Sequence, residues 1–379
     1  MAEPACPGLV LQRPAGQTSA EATRAVHLRL LELGLGDTVQ VGVEAVATKP
    51  GHEGLRLALR PQQALGLAPG HDTLGLHENL AFYGLDARTA LMRETLLAML
   101  LGPQAAVFPS VDEWWSAVRM RVNVAQAARR TQLSFSTADA ERPDDCWAYH
   151  RETGFTIRPG SPLIDALRKT TQPEDGGLIY SFSCYRATEY VLLLGLAEEL
   201  SLSNPALLAQ LQARWERKAI QSGLFHDVFL KEEGSLDQPL PPRYYVPGDR
   251  VWFRNPDEAS SDASGYEGSW TLYLGQGEFA NLWHRERPFT LASKGIEVYH
   301  WRDALYFDEE GEQRIDEDKV AACVAATEAD PVRREQILRR MLRLRDGKGV
   351  YADGGCIDAT REHLRWVQPS TTDLVVPAA

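Results

Sequence analysis

Gly177-Leu178-Ile179-Tyr180-Ser181-Phe182-Ser183-Cys184-Tyr185-Arg186-Ala187-Thr188-Glu189-Tyr190 is the stretch that decides how this chain is read. A short apolar run leads in. A helical run then begins at about Tyr185, with Tyr190, Val191, Leu194, Ala197 and Leu200 on one stripe. A thiol at that junction faces the positive end of a helix dipole, which favours the thiolate, the nucleophilic form of cysteine. Free cysteines also serve as small buried hydrophobes, so the surrounding sequence has to separate the two readings.

Upstream of the junction, Ser110 and Glu113 form a capping box, and a helix is expected from there to about Arg130. Residues 137–145 read as a polar loop. Residues 147–157 alternate around a Thr153-Gly154 turn and predict a hairpin. Ser161-Pro162 opens a helix to about Lys169. Downstream, Asn204-Pro205 starts a helix expected to run to about Gly223. The periodicity then changes. Pro247-Gly248-Asp249 reads as a turn into the strand Arg250-Val251-Trp252-Phe253, residues 268–274 alternate up to Gly275, and residues 279–284 and 297–301 read as further short strands. Asp330-Pro331 begins a helix expected over Val332 to Leu344 with Gly347 as its C-cap, and with a solvated basic face running to Lys348. Residues 1–105, rich in Ala, Gly, Leu and Pro, have helical spacing at 24–33 and 87–101 and strand alternation at 39–45 and 55–59. Their periodic apolar stretches predict a segment folded against the rest.

The 379 residues carry a net charge of −12, which disfavours a nucleic-acid backbone as partner and suits basic, lysine-bearing ones. The longest apolar run, 191–197, is too short to span a bilayer. The start, Met1-Ala2-Glu3-Pro4-Ala5-Cys6, has neither the basic nor the apolar region of a secretion signal. Five scattered cysteines (Cys6, Cys146, Cys184, Cys323, Cys356) without short paired spacing argue against a disulfide framework or a zinc site, and point to a reducing, cytoplasmic compartment.

A cysteine at the start of a core helix, followed by a small antiparallel sheet that supplies a base, is the papain-like order of parts. The expected fold is therefore α+β, a cysteine-proteinase-like core with helices packed on one side of a small antiparallel sheet. Four blocks make the sequence resemble a specific family, the compact bacterial protein-glutamine gamma-glutamyltransferases (transglutaminases) of the spore-coat type. They are residues 118–128, residues 161–168, the run Ile179-Tyr180-Ser181-Phe182-Ser183-Cys184 with Ala187-Thr188 behind it, and Pro247-Gly248-Asp249-Arg250-Val251-Trp252-Phe253-Arg254-Asn255-Pro256 continuing through Leu272-Tyr273-Leu274-Gly275 to Phe279-Ala280. The blocks keep the family's order and cover about residues 105–300. The division implied is an additional segment at 1–105, a catalytic core at 106–305 and a helical segment at 306–379.

The resemblance places Cys184 on the family's nucleophile. It implies acyl transfer from glutamine to lysine side chains of proteins through a thioester, with no metal or organic cofactor, no nucleic acid and no membrane, and it allows a spore-associated location. The family's acid before the nucleophile is replaced by Ser183. The family's strand glutamate aligns with Ser269, with Glu267 two positions earlier and so expected on the same strand face. The family's histidine aligns with Asn281, with His284 three residues on. Glu267 and His284 are accordingly the candidate partners of Cys184. The alternatives are a thiol amidase or deamidase using Cys184 and His284, or a homologue without activity. His300 with Asp303 reads as a packed pair, Glu189 as pointing away from the thiol, and Trp270 and Trp283 as core-packing residues by default, with the walls of a substrate groove as the alternative.

Overall fold

The computed structural model describes residues 7–14, 16–45, 53–60, 66–80, 85–347 and 354–377, so Cys6 and Lys348 lie outside the described residues. The chain begins with β1 (Leu9–Gln12), α1 (Ser19–Glu32), β2 (Val39–Ala45), β3 (Glu53–Leu59), α2 (Ala87–Leu100) and β4 (Ala106–Phe108). The strands form a sheet in the order β2-β3-β1-β4. Its apolar face, with α1 and α2, makes one core with Trp114, Trp115 and Val118 at the start of α3 (Val111–Arg130). The described residues before 106 thus fold against the rest of the chain, as their periodicity predicts.

The central unit follows: β5 (Ser134–Phe135), the hairpin β6 (Trp147–His150) and β7 (Gly154–Ile157), α4 (Leu163–Thr171), β8 (Ser181–Phe182), α5 (Cys184–Ser203), α6 (Pro205–Trp215), α7 (Ser222–Phe229) and β9 (Leu230–Glu233). After β10 (Arg250–Arg254) and β11 (Gly268–Gly275) come β12 (Glu278–Phe279), β13 (Phe289–Thr290), α8 (Leu291–His300), the hairpin β14 (Leu305–Phe307) and β15 (Gln313–Ile315), α9 (Glu317–Glu328), α10 (Pro331–Met341) and β16 (Arg361–Leu364). The main sheet runs β13-β12-β11-β10-β16-β9, with antiparallel neighbours throughout. The protein is therefore α+β, with helices packed on an antiparallel sheet.

The helices are not confined to one side. Leu272 and Leu274 of β11 join α3, α5 and α6 in one core, whereas Tyr273 of the same strand joins Val251, Phe253, Ile296 and Met341 in another, formed with α8 and α10. Alternate residues of one strand point to opposite faces, so the unbroken Leu272-Tyr273-Leu274 run marks a strand buried on both. Residues 297–301, expected as a strand, are the last turn of α8 and the short 3₁₀ turn after it. Thr290 and Ser293 cap α8 reciprocally, and Lys294 and Glu297 pair at i,i+3, local bonds that outweigh the β-leaning Val298-Tyr299 pair. The expected helix to Gly223 stops at Trp215, and a second begins at Ser222; the helix expected to run to Leu344 ends at Met341. The segment from 306 is not wholly helical, because β16 lies in the main sheet between β9 and β10.

α5 is held by α3. A Cβ on Gly195 would lie 2.5 Å from Val124 Cγ2 and 2.8 Å from its backbone nitrogen, so glycine alone permits this approach. Glu199, fully buried on α5, accepts hydrogen bonds from Ser116 Oγ at 2.6 Å and Arg119 Nε at 3.0 Å on α3. α3 also anchors the Pro247-Gly248-Asp249 turn. Gly248 has φ 87° and sits against the Arg121 backbone, and Arg121 pairs with buried Asp249 at 2.6 Å.

Gly195→Ala is expected to lower stability by about 2 kcal/mol or more through overpacking, read as a lower urea midpoint with unchanged slope. A pH-dependent term comes from Glu94 on α2. It accepts the Gln276 N–H of the β11–β12 turn at 2.7 Å, and burial pushes its carboxyl from 4.5 up to about 7. A carboxyl raised on folding stabilises most below its unfolded value, and that contribution is lost as pH rises through the folded value. Relative to wild type, Glu94→Gln should therefore gain stability between pH 5 and pH 8, on the order of 3 kcal/mol, in urea unfolding at the two pH values.

Candidate active site

The segment before Cys184 is fixed by its own chemistry. β8 pairs in parallel with β5, and Glu141 accepts hydrogen bonds from the Ser181 amide at 3.2 Å and hydroxyl at 2.9 Å. The buried Arg142 guanidinium lies 3.5 Å over the Phe182 ring. Ser183 is the N-cap of α5, its side chain accepting the Arg186 N–H at 3.4 Å, which is the stabilising choice at that position. Cys184 is thereby the first residue of α5, partly buried, at the Gly268 end of β11.

Tyr185 locks the helix start to the sheet. Its ring meets Trp270 edge-on at 5.5 Å, and Trp270 stacks on Trp252 at 5.7 Å and 13°. Arg250, fully buried, lies 4.8 Å from the Tyr185 ring centroid and 4.5 Å from that of Trp270, and its Nε donates to Glu362 on β16. Glu362 also pairs with His226 Nδ1 at 2.9 Å. Trp270 is the packing residue that the sequence predicts.

Burial pushes the Cys184 thiol above its ordinary value. The backbone amides of Trp270 and Tyr185 and the charge of Lys294 pull it down, and Glu267 pushes it further up. This corrects the expectation drawn from the helix start alone, since desolvation outweighs the two amides and the resting side chain is a thiol. The thiol opens on a cleft of about 770 Å³, walled by Ser134 and Phe135 of β5, Ser269 of β11, His284, Trp283 and residues of α8 and α9. No residue before Gln132 lines it among the described residues; of the first hundred, the described residues pack on α3 and on the opposite end of β11.

His284 shares the cleft with Cys184 and is exposed. Its presentation depends on Asn281, whose Oδ1 accepts the amides of Trp283 at 3.2 Å and His284 at 3.1 Å, while Nδ2 donates to Arg287 O at 3.0 Å. Asn281 is thus the organiser of the 281–287 turn, an Asx arrangement. Glu267 precedes β11, is exposed, and its Oε1 accepts the Gly265 N–H at 3.5 Å; Gly265, Tyr266, Gly268 and Ser269 line the cleft around it, and Glu267 is not among the lining residues. The period-two rule did not carry to it because the strand begins only at Gly268.

Sequence reasoning missed Lys294 and Glu297, which reach the cleft from α8, and Glu317, which accepts the Tyr266 hydroxyl proton. The Lys294–Glu297 spacing on a capped helix is the signal that would have found the pair. Glu189 is fully buried and pairs with Arg186 at 2.9 Å. His300, Asp303 and Cys323 bring a nitrogen, an oxygen and a sulfur within 4.8 Å of one another. His300, however, shares hydrogen bonds with Asp303 Oδ2 at 2.6 Å and Thr327 Oγ1 at 2.7 Å, so both ring nitrogens are engaged and the cluster is a packed network. No helix among the described residues is long and apolar enough to cross a membrane.

Comparison with solved structures finds similarity to a transglutaminase from Geobacillus stearothermophilus (without C-terminal extension), at 18% identity and a TM-score of 0.39, covering 57% of this chain and 98% of that one. A comparison with curated proteins gave no match. The family model of protein-glutamine gamma-glutamyltransferases matches residues 82–375, which include the whole cleft. On that match the chain belongs to the protein-glutamine gamma-glutamyltransferase family.

Proposed function

We propose that the protein forms isopeptide cross-links between glutamine and lysine side chains of proteins, with Cys184 as nucleophile in a cysteine-proteinase-like arrangement. The observation that carries this reading is the placement of Cys184 at the first turn of α5, open to the cleft, with two backbone amides acting on its sulfur. In the proposed cycle the thiol proton passes to the His284 imidazole. The thiolate then attacks the glutamine carboxamide carbon, and amides at the helix start face the developing oxyanion. The carbon–nitrogen bond breaks, the imidazolium returns the proton to the leaving ammonia, and a thioester remains. A lysine amine attacks that thioester, gives its proton to His284 and displaces the thiolate, forming the isopeptide bond. Water in place of the amine gives deamidation.

The raised thiol makes a base necessary at neutral pH. His284 is the favoured base because it lines the cleft, with Glu267 at the rim as the second candidate. Protein substrates are the partners this reading requires. The spore-coat setting and the cytoplasmic compartment rest on the sequence resemblance and on cysteine usage.

Cys184→Ala is expected to abolish incorporation of a labelled amine into a glutamine-containing protein while leaving the melting temperature nearly unchanged. Full activity in that variant would end the nucleophile assignment. His284→Ala is expected to cut turnover about 100-fold or more, the usual size of a general-base contribution, and Glu267→Gln by less. The reverse order of effects in the same assay would transfer the base role to Glu267.

A further inference from the structure

Among the described residues, Lys294 is the only lysine or arginine lining the Cys184 cleft. Its side chain is 4% exposed, and the ammonium lies 2.8 Å from Glu297 Oε1 and 4.0 Å over the Phe289 ring. A lysine this deeply placed loses hydration, which a single carboxylate and one ring face replace only in part. Core packing explains an aliphatic side chain at such a point; it does not explain an ammonium on the wall of an open cleft.

We propose that Lys294 is the charge partner of Cys184, an ammonium that favours the thiolate and later the oxyanion, and that Glu297 sets how strongly it acts. The inference deepens the acyl-transfer reading and rests on it for its biological sense, but the ionisation it describes belongs to the free protein. In this chain the positions that resemblance assigns to acidic partners hold Ser183 and Ser269, neither of which carries charge. The ionisable groups near the thiol are few. α5 itself offers Tyr185, and Arg186, which is paired with Glu189. The loop before β11 offers Glu267 and Tyr266, the 281–287 turn His284, α8 Lys294 and Glu297, and α9 Glu317, which is bonded to Tyr266. β10 adds Arg250, which lies against Tyr185 and Trp270 and is paired with Glu362. The carboxylates disfavour a thiolate, and Lys294 is the positive charge on the cleft wall set against them. Lys294 takes no proton in this scheme, and the thiol proton passes elsewhere.

The test is the pH profile of iodoacetamide labelling at Cys184, followed in the full chain by mass spectrometry of the peptide that carries it. Lys294→Met should move the inflection up by about one pH unit and slow labelling near neutral pH about tenfold, and Lys294→Arg should restore most of the loss. Glu297→Gln should move the inflection the other way, because it releases the ammonium from its carboxylate. Opposite shifts in the Met and Gln variants support the proposal. Superimposable profiles, or shifts of the same sign, overturn it. If Lys294→Met does not fold, the Arg and Gln variants decide, since the proposal requires a near-normal profile in the first and a lowered inflection in the second. Absence of amine incorporation by the wild-type protein would defeat the acyl-transfer reading while leaving these profiles as they are, so the two failures are separable.

Discussion

The buried Arg250 guanidinium ties the site together. It sits against the rings of Tyr185 and Trp270 and donates to Glu362. One side chain thereby joins the start of α5, the strand that supplies an amide to the sulfur, and the strand near the far end of the sequence. Nη1 and Nη2 of Arg250 have no hydrogen-bond partner among the described residues, so the aromatic rings and Glu362 carry the compensation for burying this charge. A buried ion pair adds little net stability, but removing one member leaves the other uncompensated at a cost of about 3–5 kcal/mol. The arrangement is therefore tolerant of neither partner's loss.

β11 supplies the second constraint. Because it is buried on both faces, the helix that begins at Cys184 and the helix that bears Lys294 reach one cleft from opposite sides of a single sheet. Sites assembled on rigid elements hold their groups closely, and loops that complete them set specificity. Here α5, α8 and β11 are the rigid parts. The 281–287 turn is the loop, and Asn281 stiffens it through three hydrogen bonds.

Much of this was legible in the sequence. The apolar stripe after Cys184 announces the helix, Asn204-Pro205 the next one, and Thr153-Gly154 the hairpin, because each is decided by bonds within a few residues, whereas the Ser183 cap emerges only in the structure. What was not legible depends on partners far along the chain. Arg361-Glu362-His363-Leu364 reads as polar, yet it is a strand inside the main sheet. Its charges are matched by Arg250 and by Glu233, whose carboxylate pairs with His363 at 3.0 Å. Asn281 appeared as the loss of a histidine, since only the folded turn reveals what an amide does there. Lys294 went unnoticed because the Glu297–Trp301 stretch has the residue types of a strand, and the Thr290–Ser293 cap that makes it helical uses serine where glutamate is the stronger signal.

The position of β16 has a consequence for how the protein is made. Its register partners are Arg250 on one side and residues 230–233 on the other, so more than a hundred residues separate strands that lie side by side. Closing so long a loop is slow compared with forming helices and hairpins. On a chain emerging from the ribosome, α3 and α5 can pair early, but β9 and β10 wait with an open gap between them and Arg250 without its carboxylate. Only when residue 364 has emerged does the gap fill, with Glu113 on α3 then receiving the Val367 and Gln368 amides at 2.9 Å each. The frame around Cys184 is therefore complete only after this strand is seated, long after the helices that flank it have paired.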